Sequence, residues 1–179
     1  SVPARINIIG EHTDRFGGKA LAFSSQHRLV LTASRSRRGT SGEPTVISLW
    51  KAARGWDAEL TVHSEIPIGA GMSSSAALCV AVAMCCKRAD SGMEVSLEAQ
   101  RIEHEALGSD CGLLDQIAIT HSSRGFATLI DFGDMSTTAF RIPSDWLFKL
   151  IDTGIRRELA GTTYNSSEIS AETREMHAL

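Results

Sequence analysis

The chain has 179 residues, of which 42% are hydrophobic and 22% charged, with a formal net charge of −3 and an isoelectric point near 6.1. This composition is typical of a globular protein and shows no bias toward nucleic acid or a membrane surface. The charge balance gives no reason to expect nucleic acid as a partner. We also expect no membrane partner, because no apolar run is long enough to cross a bilayer. The four cysteines lack Cys-x-x-Cys spacing, so free thiols and a cytoplasmic location are expected.

Hydrophobic periodicity and turn residues predict both strands and helices along the chain. Strands are expected near residues 5–9, 20–33, 45–49, 58–64, 125–131, 136–141 and 147–152. Helices are expected near residues 73–88, 96–107 and 113–121, and a last helix is expected from about residue 163. The pattern indicates an α+β fold without internal repeats or low-complexity segments.

A first candidate site follows the first strand, in residues 4–18, which read ARINIIGEHTDRFGG. The strand delivers Glu11, His12 and Asp14 into a turn that ends at two glycines. Three hydrogen-bonding side chains within four residues suit a ligand that carries many hydroxyl groups. A solvated acidic turn is the alternative interpretation when these residues are considered alone.

A second candidate site lies in residues 66–77, which read IPIGAGMSSSAA and lead into an apolar helix. Glycines let the backbone approach an anion, and the start of a helix offers unpaired N–H groups and the positive end of its dipole. The segment therefore predicts a phosphate-binding loop. A simple helix cap at Ser73 is the alternative, but one cap does not explain three consecutive serines. The Gly-Lys-Ser/Thr ending of a Walker A loop is absent from this segment.

Two acidic residues form a third candidate site. Asp115 lies in the segment CGLLDQ at residues 111–116, and Glu103 lies twelve residues upstream on the expected helix 96–107. An isolated aspartate near a helix start is usually a cap or a surface charge. His104 and Glu105 are expected on a solvated helix face, since the His-Glu-x-x-His metal motif is absent.

A fourth segment, residues 152–165, reads DTGIRRELAGTTYN and contains Tyr164, the only tyrosine of the chain. On its own, this segment could be a loop that leads into a helix and happens to carry a tyrosine.

In this order, the four segments resemble the GHMP small-molecule kinases, and among them the galactokinases. Residues 66–77 are similar to the second GHMP motif, Pro-x-Gly-x-Gly-Leu/Met-Gly/Ser-Ser-Ser-Ala, which binds ATP. Residues 4–18 resemble the galactokinase signature Gly-Arg-x-Asn-Leu-Ile-Gly-Glu-His-Thr-Asp-Tyr. Residues 111–116 and 152–165 are similar to the galactokinase segments Cys-Gly-Ile-Met-Asp-Gln and Leu-x-Gly-Ser-Glu-Tyr-Asn. The resemblance spans nearly all of the chain.

This resemblance implies a transferase of galactose metabolism that uses ATP to phosphorylate the C1 hydroxyl of galactose, giving galactose 1-phosphate and ADP. It makes Asp115 the catalytic base, with Arg5 holding that carboxylate ionised. The sugar would be bound by Glu11, His12, Asp14, Gly112 and Tyr164. ATP would be bound by Gly69, Ala70, Gly71, Met72, Ser73, Ser74 and Ser75, and Mg²⁺ by Ser75 and Glu103.

Departures from the family pattern leave alternatives open. Arg15 replaces the signature tyrosine, so a kinase for N-acetylgalactosamine or arabinose is one alternative. A non-catalytic sugar and ATP sensor of the same fold is another. The resemblance implies an N-terminal domain at residues 1–145 and the beginning of a second domain at 146–179. Neither the glycine-rich third motif nor the helix before the ATP loop is recognisable. We therefore expect a fragment or shortened variant, inactive as residues 1–179 alone.

Overall fold

The computed structural model describes residues 1–67, 69–86 and 91–151. Within these residues, a single sheet contains the strands β1 (Val2–Ile9), β2 (Lys19–Arg35), β3 (Ala58–Ser64), β4 (Phe126–Asp131) and β5 (Ser136–Arg141). The α-helices are α1 (Pro44–Ala52), α2 (Ser74–Cys86), α3 (Gly92–Leu107) and α4 (Leu114–Thr120). A short 3-10 helix, Thr13–Arg15, follows β1. The expected α+β fold is confirmed.

Strand β2 organises the sheet because it is long enough to pair with three other strands. Its first residues pair with β4, from Lys19 opposite Asp131 to Phe23 opposite Ala127. Its last residues pair with β3, and the stretch between Leu21 and Leu29 pairs with β1. Strand β5 continues the sheet beyond β4, and all of these pairings are antiparallel.

The core lies where α2 packs against the sheet. Most side chains of α2 are small and apolar, and its buried residues lie on all sides of the helix. Such a helix belongs in the interior, and α2 contacts β1, β2 and the other three α-helices. Cys79 is buried in α2 as a small hydrophobic residue, and all four cysteines are free thiols, as expected. The start of α2, which carries the serines, is thereby fixed beside β1.

The strand expected near residues 45–49 is wrong, because these residues belong to α1. Pro44 occupies the first turn, where its missing N–H costs nothing, and the side chain of Glu43 accepts a hydrogen bond from the N–H of Val46 at 3.1 Å. Val46, Leu49 and Trp50 then share one buried face at helical spacing. A helix therefore does precede the glycine loop, although its sequence gave no recognisable family motif.

The strand expected at residues 147–152 is also wrong as far as the structure describes it. Residues 147–151 form no strand, and the side chains of Leu147 and Ile151 are 80% and 86% exposed. Phe148 alone makes a ring contact with the sheet, at 4.6 Å from Phe23. The last residue of that expected strand, the helix expected from residue 163, and Tyr164 lie outside the described residues. The domain boundary expected after residue 145 stays a prediction.

None of the helices in the described ranges combines the length and apolar character that a membrane span requires.

Candidate active site

The turn after β1 is built around a close approach between two backbones. Gly10 has φ of +100° and lies so close to Lys19 and Ala20 that a Cβ atom would collide with the backbone of β2. The turn therefore directs Glu11, His12 and Asp14 away from the sheet and toward the start of α4. Asn7 of β1 donates from Nδ2 to Oε1 of Glu11 at 3.0 Å, which fixes the first of these carboxylates.

Asp14 reaches the segment that precedes α4. Its Oδ2 accepts a hydrogen bond from the N–H of Leu114 at 3.2 Å. A Cβ atom on Gly112 would overlap the carboxylate of Asp14, so the glycine permits this approach. Arg15 ties the same two segments together, since its guanidinium donates to the backbone oxygen of Asp110. Residues that lie about one hundred positions apart in the chain thus form one wall of a pocket.

That pocket encloses a cavity of about 110 Å³ between β1, the turn after it, and helices α2, α3 and α4. It contains carboxylates, guanidinium groups, hydroxyls and an imidazole, with few apolar side chains. Its lining consists of Arg5, Asn7, Glu11, His12, Asp14, Arg15, Ser75, Glu103, Ser109, Cys111, Gly112, Leu114 and Asp115. This mixture suits a small polar ligand.

An ion pair between Arg5 and Asp115 lies at the pocket. Arg5 projects from β1 and donates from Nε to Oδ1 of Asp115 at 2.8 Å, and its Nη2 donates to the same oxygen. Both side chains are mostly buried, with exposed fractions of 16% for Arg5 and 31% for Asp115. Asp115 lies in the first turn of α4, where the helix dipole also favours a negative charge. The carboxylate is therefore held in one orientation beside the cavity.

The glycine loop approaches this ion pair from the other side. Gly69 and Gly71 have φ of +70° and +73°, and Ser73 has φ of +57°, so the loop is left-handed at alternate residues before α2 begins at Ser74. The backbone oxygen of Gly71 accepts a hydrogen bond from Nη1 of Arg5 at 3.2 Å. Ser73 Oγ donates to Oδ2 of Asp115 at 2.5 Å.

Ser73 also occupies the position of a helix cap, because its backbone oxygen accepts from the N–H of Ala77 at 3.0 Å. The side chain, however, points to a carboxylate on another helix. Ser73 therefore caps the helix through its backbone oxygen, as the alternative interpretation from the sequence expected, while its side-chain hydroxyl binds Asp115.

Glu103 extends from α3 into the interior and is only 3% exposed. Its Oε2 accepts a hydrogen bond from Nε2 of Gln116 at 2.8 Å. Burial raises the pKa of Glu103, and the negative charge of Asp115 raises it further, while hydrogen bonds from Ser75 and Gln116 oppose the shift. Ser75 and Glu103 thus share one end of the pocket, as a hydroxyl and a carboxyl oxygen.

Cys111 lines the pocket beside Glu103. Burial and the neighbouring charge of Glu103 raise the pKa of its thiol to about 12. The thiol is therefore protonated at neutral pH and a poor nucleophile. Within the described residues, no cluster of three or more His, Cys, Asp and Glu side chains could hold a metal by itself.

The structure brings together most of the residues singled out from the sequence: Arg5, Glu11, His12, Asp14, Ser75, Glu103, Gly112 and Asp115. The other loop residues precede Ser75 and do not line the cavity. Tyr164 lies outside the described residues. His104 and Glu105 lie exposed on α3, as expected, although Nε2 of His104 is 2.8 Å from the backbone oxygen of Cys111.

Sequence reasoning gave no role to Asn7 or to Gln116, and it considered Arg15 only for the choice of sugar, whereas Asn7 and Arg15 line the pocket and Gln116 bonds Glu103. Asn7 Oδ1 is buried without a hydrogen-bond partner in the described part of the chain. Asn7 and Arg15 lie within the first motif, so their position in it was the available signal. Gln116 gave no signal beyond following Asp115, because its partner Glu103 belongs to a different helix.

Comparison with family models supports the segments identified above. Residues 1–35 match the galactokinase galactose-binding signature, and residues 45–123 match the N-terminal domain of the GHMP kinases. These two stretches take up more than half of the chain.

Curated relatives give the same result. A galactokinase of Chloroflexus aurantiacus is 30% identical over 205 residues, and one of Chloroflexus aggregans is 31% identical over 206 residues. Each alignment includes 95% of this chain and 52% of the relative. The chain therefore spans about half the length of the curated relatives it matches.

Solved structures share the fold. The galactokinase of Lactococcus lactis, solved with galactose, superimposes with a TM-score of 0.72 and 23% identity, over 92% of this chain and 52% of that one. Methanococcus jannaschii mevalonate kinase gives a TM-score of 0.57 and 15% identity, over 80% of this chain and 55% of that one. At these identities the structural likeness establishes the fold alone. This chain therefore contains a GHMP kinase N-terminal domain at residues 45–123 and carries the galactokinase galactose-binding signature at residues 1–35.

Proposed function

We propose that this chain supplies the sugar site and the nucleotide loop of an ATP-dependent kinase that phosphorylates the C1 hydroxyl of galactose. The observation that carries the proposal is the pairing of Asp115 with Arg5 at a pocket. Residues of the segment that matches the galactose-binding signature line this pocket. The galactokinase relatives support the choice of reaction and of sugar. Because the chain spans about half of those relatives, the activity is proposed for the protein at its natural length.

Asp115 would take the proton of the attacking sugar hydroxyl. Phosphoryl transfer depends mainly on in-line positioning and charge neutralisation, with one group to accept that proton. Both hydrogen bonds from Arg5 go to Oδ1 of Asp115, so Oδ2 retains a lone pair beside the single bond from Ser73. The positive charge of Arg5 would also favour the alkoxide that develops on the sugar.

Sugar orientation would come from the wall formed by the turn after β1. Ionised carboxylates only accept hydrogen bonds, so Glu11 and Asp14 are matched to sugar hydroxyls as donors. His12 and the backbone at Gly112 would add further contacts. Tyr164 would complete the sugar site in this proposal. Galactose is preferred to N-acetylgalactosamine or arabinose because the matching signature is that of galactose binding.

ATP phosphates would bind at the glycine loop and the start of α2. The left-handed glycines Gly69 and Gly71 allow close backbone approach, and α2 presents unpaired N–H groups and the positive end of its dipole at Ser74. The loop residues proposed for this role are Gly69, Ala70, Gly71, Met72, Ser73, Ser74 and Ser75.

Mg²⁺ fits the pair formed by Ser75 and Glu103. Magnesium takes oxygen ligands, is commonly bound by one or two protein oxygens, and fills its other positions with water and substrate phosphate. A hydroxyl and a buried carboxyl at one end of the pocket provide such a set. When bound, the ion would neutralise phosphate charge during transfer. Gln116 would hold the Glu103 carboxylate in place through its amide.

Residues 1–145 are proposed as the N-terminal domain of this kinase, and residues 146–179 as the beginning of the domain that closes the cleft.

The alternative from a different functional class is a protein that binds sugar and ATP as a sensor, without turnover. The intact pairing of Arg5 with Asp115 argues against the sensor, because a protein that only binds has no need of a general base.

The test is a phosphorylation assay on the protein at its natural length, with MgATP and galactose, glucose, N-acetylgalactosamine or arabinose. We expect galactose 1-phosphate and the highest catalytic efficiency on galactose. Binding of both ligands without turnover would support the sensor instead. Preference for another sugar would overturn the choice of galactose but leave a sugar kinase.

A further inference from the structure

We propose that Ser73 is a positioning residue, whose hydroxyl holds the carboxylate of Asp115 and so ties the nucleotide loop to the proton acceptor. This inference rests on the proposed kinase activity and adds a role to a serine that the sequence assigns to ATP phosphates. It follows from the direction of one side chain at the end of the glycine loop.

The contact is specific to Ser73 among the three serines of the loop. Ser73 Oγ donates to Oδ2 of Asp115 at 2.5 Å, and the two residues lie 42 positions apart in the chain. Ser75 instead hydrogen-bonds the carboxyl of Glu103. Two serines of the loop, two positions apart, thus bind different carboxylates.

Backbone geometry explains how Ser73 reaches Asp115. With φ of +57°, Ser73 is left-handed, an uncommon conformation for a residue with a side chain. It lies directly before α2, so this conformation aims its Cβ differently from those of the helical residues that follow. Residues held in sparsely populated backbone conformations cluster at functional sites, and the partner of Ser73, Asp115, lines the pocket.

Asp115 is consequently held from two sides. Arg5 binds Oδ1, and Ser73 binds Oδ2, so rotation of the carboxylate would break bonds at both oxygens. Arg5 in turn donates to the backbone oxygen of Gly71, which gives the loop a second connection to the same ion pair. Movement of the loop therefore changes the surroundings of the proton acceptor, and the loop and the acceptor act as one unit.

The test separates this role from phosphate binding by comparing kcat with KM. Ser73→Gly removes the hydroxyl and suits the left-handed backbone, and Ser73→Ala removes it while keeping Cβ. We expect both variants to lose kcat by about tenfold to a hundredfold. KM for MgATP should stay within about twofold of wild type, because both variants keep the backbone N–H through which residue 73 would contact the phosphates. A rise of tenfold or more in KM for MgATP with unchanged kcat would contradict the proposal and assign the Ser73 hydroxyl to phosphate binding instead. Ser74→Ala is the matched control, for which a weaker MgATP affinity is expected.

A second measurement does not depend on turnover. Free energies of unfolding are determined for the wild type, Ser73→Ala, Asp115→Ala and the double variant. A coupled pair gives a double variant less destabilised than the sum of the two single changes. Additive effects would contradict the contact itself. If the cycle shows coupling but no sugar is phosphorylated, the proposed activity fails while the contact between loop and carboxylate stands.

Discussion

Gln116 and Glu103 meet in the interior, where the amide Nε2 of Gln116 donates to Oε2 of Glu103 at 2.8 Å. Gln116 is fully buried and Glu103 is 3% exposed, so the carboxyl lies in surroundings that disfavour its charge. The pair joins α3 to α4 and brings the proposed metal ligand next to the helix that carries Asp115. These two consecutive helices thereby share one electrostatic environment.

Glu103→Gln should stabilise the fold increasingly as the pH rises. Burial raises the pKa of Glu103 above its ordinary value of 4.5, so the unfolded chain ionises at lower pH than the folded protein. Well below pH 4.5 both states are protonated and the carboxyl does not lower the stability. Above it, the wild type loses stability until the pH passes the raised pKa, whereas the glutamine does not titrate. Urea unfolding at pH 4.5, 6 and 8 measures this difference.

Glu105→Gln is the control for that experiment, since Glu105 is exposed on the same helix. Its difference from the wild type should lack the upward trend with pH. Parallel stability curves for the wild type and Glu103→Gln would contradict the raised pKa of Glu103.

Asp115→Asn should lower turnover by roughly 100- to 10,000-fold, about 3 to 5 kcal/mol of barrier, because an amide cannot accept the proton. Galactose binding should largely survive, since the proposed sugar contacts lie mainly in the turn after β1. Steady-state kinetics and calorimetric titration with galactose measure the two effects. Asp134→Asn, at the exposed turn between β4 and β5, serves as the control. Rates within a few-fold of wild type would remove Asp115 from the base role.

Ser75→Ala should shift the Mg²⁺ dependence of the reaction to higher concentration, by about tenfold, because one of two proposed protein ligands is lost. Affinity for galactose should change little. A magnesium titration at saturating galactose measures the midpoint. In the control Ser122→Ala, the lost hydroxyl donates to the backbone oxygen of Ile119, away from the proposed metal ligands, and the midpoint should be unchanged. An unshifted midpoint in Ser75→Ala would place the metal elsewhere.

Gly112→Ala should raise KM for galactose by about tenfold to a hundredfold, because its Cβ would overlap the carboxylate of Asp14 and displace it. The affinity for MgATP should stay close to wild type. Gly133→Ala is the control, since its added Cβ would lie 3.2 Å from a side-chain oxygen of Asp131, a tight contact that a small shift of that side chain relieves, whereas at Gly112 the overlap is complete. An unchanged KM would show that Asp14 does not need its present position to bind sugar.

The local sequence determined most of the elements and all four motifs. Alternation and apolar runs were sufficient for β3 and for the buried helix α2, because these signals depend only on neighbouring residues. The same reasoning failed at α1, where a short apolar stretch suits strand or helix alike. There the cap from Glu43 and the packing of Trp50 in the core decided the outcome.

Tertiary structure decided which motif residues face one another. The sequence named Arg5, Ser73 and Asp115 individually, but it could not show that a loop serine and a strand arginine hold opposite oxygens of one carboxylate. Nor could it show that Gln116 supports Glu103, because neither residue has a spacing that reveals its partner. Motifs record residue types along the chain, whereas hydrogen bonds and raised pKa values arise from distances and burial that exist only after folding.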